Sequence, residues 1–101
     1  MISRQWRGLA RPSRAGDYVE HLRTEIFPQL RKLAGFVDAS VLRRQADQGV
    51  EFLVVTRWTS LPAIREFAGK DAEAAVVAPQ VPGMMIEYDR TVRHYEILEL
   101  K

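Results

Sequence analysis

The chain has 101 residues, no cysteine, and 15 basic against 13 acidic side chains. That length supports one small domain with a thin core, and a hydrophobic fraction of 47% excludes a disordered chain. Without cysteine there are no disulfides, thiolate nucleophiles or cysteine metal sites. The interleaved, nearly balanced charges argue against a nucleic-acid partner despite a pI of 9.3.

In chain order, the opening MISRQWRGLARPSR has no apolar run of signal-peptide length, and no later stretch is long enough to span a membrane. A soluble cytoplasmic protein with no membrane partner is the expectation. Residues 2–9 read as a first strand, with Trp6 its largest apolar side chain. Pro12 and Ser13 mark a loop. From 15 to 33 the apolar positions Ala15, Tyr18, Val19, Leu22, Ile26, Leu30 and Leu33 recur every three or four residues, the stripe of an amphipathic helix. Pro28 falls inside it and predicts a bend near Ile26 and Phe27, and Gly35 ends it.

Residues 36–44 read as a second strand, with Val37, Ala39 and Val41 on one face and Phe36 and Leu42 on the other. Gln45 to Gly49 form the turn into VEFLVVTRWT (50–59). Side chains alternate across a strand, so the unbroken run Phe52, Leu53, Val54, Val55 asks for cover on both faces and marks a central strand. SLPAIREFAG follows with Ser60 as cap, Pro62 in the first turn, Ile64, Phe67 and Ala68 on one face, and Gly69 as stop. Asp71 is expected to cap a short helical turn through AEAAVV. Pro79 and Pro82-Gly83 break the chain before a loop or single turn carrying Met84, Met85 and Ile86. Residues 88–100 read as one long last strand.

The order βαββαβ implies an α+β domain: a four-stranded antiparallel sheet with two helices on one face, the ferredoxin-like arrangement. Two helices cover one face only. The apolar residues on the other face predict a homodimer whose sheets meet in a shared α+β barrel.

RWTSLPAIREFAGKD (57–71), the late HYEIL (94–98), EIFPQL (25–30) and Gly35-Phe36 resemble the antibiotic biosynthesis monooxygenase family, the dimeric α+β barrels. The resemblance implies one such domain over 1–101. It also implies a cofactor-independent protein that binds or oxidises a small aromatic or quinone-type compound. Heme-degrading enzymes belong to the same family, as do small proteins without known activity. Two features depart from the pattern. An Asn four residues before the family's Trp is replaced by Val54, and the chain contains no Asn. Residues 72–79 (AEAAVVAP) offer Ala and Val where heme degraders supply an axial His. A non-catalytic dimeric ligand-binding or stress-related module is the alternative, and heme handling through His94 or His21 a third.

The catalytic candidates are Trp58, His94 and Tyr95. Trp58 is open to two roles, stacking on an aromatic substrate or packing the second helix to the sheet. His94 beside Tyr95 is open to proton transfer or to a surface position. Trp6, Tyr18, His21, Phe27, Phe67, Met84 and Met85 are the expected pocket residues, with the methionines and Phe27 as an adaptable lid. Arg4, Arg57 and Arg93 are strand arginines suited to a carboxylate or phenolate, or to ion pairs with Glu51, Glu96 or Glu99. Two histidines without cysteine give no metal-ligand spacing, so neither metal nor cofactor is expected.

Overall fold

The computed structural model describes residues 1–100. Strands β1 (Ile2–Ala10), β2 (Phe36–Gln45), β3 (Val50–Trp58), β4 (Met85–Tyr88) and β5 (Arg93–Glu96) form one antiparallel sheet. Its order is β2-β3-β1-β4, with β5 also paired to β1. Helices α1 (Ala15–His21), α2 (Phe27–Leu30) and α3 (Leu61–Ala68) lie on one face. This is the α+β, ferredoxin-like arrangement that the order of elements implied. Among the described residues no helix is long and apolar enough to cross a membrane.

The β1–β3 register sorts the two faces. Ile2, Arg4, Trp6, Gly8 and Ala10 lie opposite Trp58, Thr56, Val54, Phe52 and Val50 and face the helices. Ser3, Gln5, Arg7 and Leu9, opposite Arg57, Val55, Leu53 and Glu51, face away. The helix side holds two core clusters. One is built on Tyr18, Leu22, Phe52, Met84 and Met85, the other on Leu30, Trp58 and Ile64. Ile26 and Phe27 pack against both.

The first helical arm changes register at the expected bend. A π-helical turn, Leu22–Ile26, joins α1 to α2, and the Phe27 N–H reaches back to the Leu22 carbonyl. Pro28 follows at once; it has no N–H to continue the α ladder, and its ring crowds the preceding turn. In α3 the Ser60 hydroxyl accepts from the Ala63 N–H at 3.3 Å, and Gly69 ends the helix at φ 88°, as the local sequence required.

Three segments depart from expectation. Residues 71–77 form no helix. Asp71 Oδ1 instead accepts from the Glu73 N–H, and the chain runs extended, bridging Ala74 to Thr91. The β-branched pair Val76 and Val77 suits that extension better than a helix. The same bridge divides the expected long last strand. Val92 N–H donates to Glu73 O and Ala75 N–H to Arg90 O, so residues 90–92 leave β1 and split the edge into β4 and β5. In β2, a bulge between Phe36 and Asp38 takes in an extra residue and flips the alternation. Phe36 therefore packs on Trp58 at 5.3 Å, whereas Leu42 pairs with Leu53 on the opposite face.

The uncovered face is mixed rather than uniformly apolar. Leu42 (52% exposed) and Tyr95 (49%) share it with half-buried Leu53 and Val55. Beside them Glu51 bridges Arg7 at 2.6 Å and Arg44 at 2.5 Å, and Arg57 meets Asp38 at 3.5 Å.

Candidate functional site

A cavity of about 620 Å³ lies between the first helical arm, α3, the 76–81 segment and the sheet. It sits where two helices diverge over a sheet, leaving the two core clusters separate below them. Arg4, Trp6, Val54 and Thr56 supply its floor, and Tyr18, His21, Ile26 and Phe27 one wall. Phe67, Val77 and Val81 close the other side.

The aromatic lining is held from behind. Trp6 Nε1–H donates to the Asp89 carbonyl at 2.8 Å, fixing the indole against Tyr18 at 6.0 Å and Tyr88 at 6.3 Å. Tyr18 packs edge-on to Phe52 at 5.0 Å, and burial raises its phenol pKa far above the ordinary value. Gly8 lets this happen: a Cβ there would lie 2.6 Å from the Trp6 ring.

Of the polar residues lining this space, His21 and Arg4 are buried and have ionisable or charged heads. On the wall, His21 Nδ1 lies 2.8 Å from Glu25 Oε2, and Gln80 Nε2 donates to the same oxygen at 2.8 Å. Gln80 Nε2 also lies 3.2 Å from Nδ1; in the tautomer whose Nδ1–H donates to the carboxylate, Nε2 is the lone-pair nitrogen of the neutral ring. On the floor, Arg4 is 5% exposed. Its Nη1 donates to Ala72 O at 2.5 Å and its Nη2 to Ala74 O at 2.9 Å. Its Cζ lies 5.7 Å from the Phe67 ring centre. Burial lowers its pKa to about 10, so it remains a cation at neutral pH.

The sequence candidates separate into groups. Trp6, Tyr18, His21, Phe27 and Phe67 line the cavity. Trp58 does not: it is fully buried, stacked on Phe67 at 5.7 Å, with Nε1–H donating to Thr56 Oγ1 at 2.9 Å. Met84 and Met85 are buried core residues packed with Phe52 and Tyr18, which leaves them no freedom as a lid. His94 stands behind Arg4 at 3.0 Å. Tyr95, next along the strand, pairs with Ser3 and faces the opposite side, because neighbouring strand residues cannot share a face. The three catalytic candidates are therefore not brought together. Glu25 and Gln80 had no place in the sequence reading, although His21 and Glu25 at i,i+4 share a helix face. Gln80, 59 residues from His21, gave no such signal.

No family model and no curated protein matches the chain. Solved structures do. A Bacillus cereus protein assigned by name to the antibiotic biosynthesis monooxygenases is 22% identical, with a TM-score of 0.68 over 100% of this chain and 96% of that one. A Deinococcus radiodurans protein of the same assignment is 16% identical, at 0.67 over 100% and 96%. The Mycobacterium tuberculosis heme-degrader MhuD, solved with two hemes in its active site, is 20% identical, at 0.62 over 100% of both chains. Such identities carry the architecture rather than the chemistry. The chain has, over its whole length, the fold of the structures named antibiotic biosynthesis monooxygenases.

Proposed function

We propose that this chain is a single-domain, monooxygenase-like protein that binds, and in turnover oxidises, a small aromatic or quinone-type molecule without metal or flavin. It works in the cytoplasm as a homodimer formed through the uncovered sheet face. The observation that carries the reading is the cavity itself. An apolar, aromatic-walled space with few polar groups converging on it is the usual form of a small-molecule site, and Trp6 and Tyr18 offer fixed faces for stacking.

In this scheme a phenolic substrate lies against Trp6, and His21, oriented by Glu25, accepts its proton. The resulting anion delivers electrons to O2. A carbon–oxygen bond forms at the ring, the peroxide takes up a proton, and loss of water with the ring hydrogen leaves the quinone. Phenol and O2 thus balance quinone and water. Val54 on the floor, where the family places Asn, offers no hydrogen bond, and this favours the second reading, a binding module without turnover. A heme reading would rest on His21, which lines the cavity, because Val76, Val77 and Ala78 of the 72–79 segment, which also line it, cannot ligate iron.

The test is oxygen uptake and quinone absorbance with a dihydroxynaphthalene, run beside a binding titration followed by tryptophan fluorescence. Turnover that falls about 10²-fold in His21→Ala supports the enzyme reading. Binding without oxygen uptake supports the module. Absence of binding by any aromatic overturns both.

A further inference from the structure

We infer that the ligand of this cavity is an anion and that Arg4 selects it: a planar aromatic molecule whose single carboxylate or ring-bound oxyanion meets the Arg4 guanidinium. The inference rests on the cavity being an aromatic-binding site, as proposed above, and adds the charge of the ligand and the residue that reads it.

Arg4 is a buried cation with which no carboxylate among the described residues forms an ion pair. Its contacts are the carbonyls of Ala72 and Ala74 and the ring nitrogen of His94, all dipoles without net charge. Among the described residues no carboxylate comes within ion-pair distance of it, although ion pairs form at Arg7, Arg14, Arg23, Arg44 and Arg57. A buried charge is ordinarily paired, because desolvation costs several kcal/mol per ion.

The donor count points the same way. A guanidinium has five N–H groups. Two on Nη1 and one on Nη2 are engaged; the Nε–H and one Nη2–H find no acceptor among the described residues. Nor is Nε fully buried, since the buried side-chain nitrogen without a partner is that of Arg57, and Arg4 lines the cavity. Two donors on one planar group can hold a carboxylate or paired ring oxygens at two points. Phe67 beneath the guanidinium and the two carbonyls fix its plane before a ligand arrives. Glu25 and Glu66 also border the cavity, but both are exposed, where water and salt screen them.

A competing role for Arg4 is purely structural, clamping the 72–74 segment to β1. That role is indifferent to ligand charge, which makes charge preference the readout. The intact protein is titrated with two matched pairs of probes: 2-hydroxy-1,4-naphthoquinone (ionised at neutral pH) against 1,4-naphthoquinone, and 2-naphthoate against 2-naphthamide. The wild type should bind the anion of at least one pair about 10-fold or more tighter than its neutral partner. The pair that responds tells ring oxyanion from carboxylate. Arg4→Gln should abolish the preference, and Arg4→Lys should keep part of it. Should Arg4→Gln fail to fold, the Arg4 Nε–H resonance of the wild type decides: it should shift with the anion and not with the neutral partner. Equal or weaker anion binding in both pairs, or a preference that survives in Arg4→Gln, overturns the role of Arg4 while the cavity reading stands. Failure of all the probes to bind overturns both.

Discussion

Arg4 Nη1 lies 3.0 Å from His94 Nε2. A guanidinium can only donate, so the ring nitrogen accepts and the imidazole is neutral when this contact forms. Burial, then the Arg4 charge, hold the His94 pKa below its ordinary 6.5, with Glu73 opposing them. In the unfolded chain His94 returns to the ordinary value. Between the two values the unfolded state binds more protons, so stability is complete above about pH 6.5 and is lost as pH falls through the folded value. Melting temperature should be level from pH 8 to 7 and decline below about 6.5. His94→Gln should flatten that decline; an undiminished slope in the variant would place the acid sensitivity elsewhere.

Trp58 is a packing residue rather than a substrate wall. Trp58→Ala should lower unfolding free energy by about 3–5 kcal/mol in urea titrations, a large share of what a small domain has. Trp58→Phe should cost less, losing mainly the bond to Thr56. Ligand affinity of Trp58→Phe should match the wild type, and a large affinity loss at full folding would return Trp58 to the site.

Two glycines with the same backbone angle offer a controlled comparison. Gly35 and Gly69 stand at φ 87° and 88°, where an L side chain costs about 1–3 kcal/mol. At Gly35 an added Cβ would also lie 2.4 Å from Ala63 Cβ, whereas nothing lies within 4 Å at Gly69. Gly35→Ala should therefore be the more destabilising of the two by chemical denaturation. Equal losses would mean that α3 shifts without cost.

The uncovered face is expected to pair with a second copy, giving a dimer by light scattering at micromolar concentration. Val55 lies opposite Gln5 and Ser40, neither of which can neutralise a new charge. Val55→Asp should weaken association about 10²-fold or more through a buried, unpaired carboxylate, with the monomer still folded by circular dichroism. A wild type that stays monomeric would remove the dimer from the proposed function.

Much of the fold was readable where neighbouring residues decide it. Ser60, Pro62 and Gly69 bound α3, and the run from Phe52 to Val55 identifies a central strand, through caps, φ preferences and alternation, whereas the first helical arm ends at Leu30, ahead of the expected stop at Gly35. Pro28 announced a bend but not its form, since a π turn depends on what the arm packs against. At the site, aromatic residues could be named from size and stripe position. His94 and Tyr95 could not both reach one cavity, and the two-residue period of a strand already said so. The Arg4–His94 contact and the Gln80–Glu25 bond join residues 90 and 55 positions apart, beyond any local signal.

By itself the sequence determined the order of elements as far as α3, the ends of α3 and the amphipathic stripe of the first arm, because these follow from steric and hydrogen-bonding preferences within a few residues. Only the tertiary structure decided that 73–75 pairs with 90–92, that the last strand divides, and that Phe36 changes face at a bulge. It alone made Arg4 a buried cation. Each of these depends on which backbone or side chain arrives from far along the chain, and such a partner exists only once the chain has closed on itself.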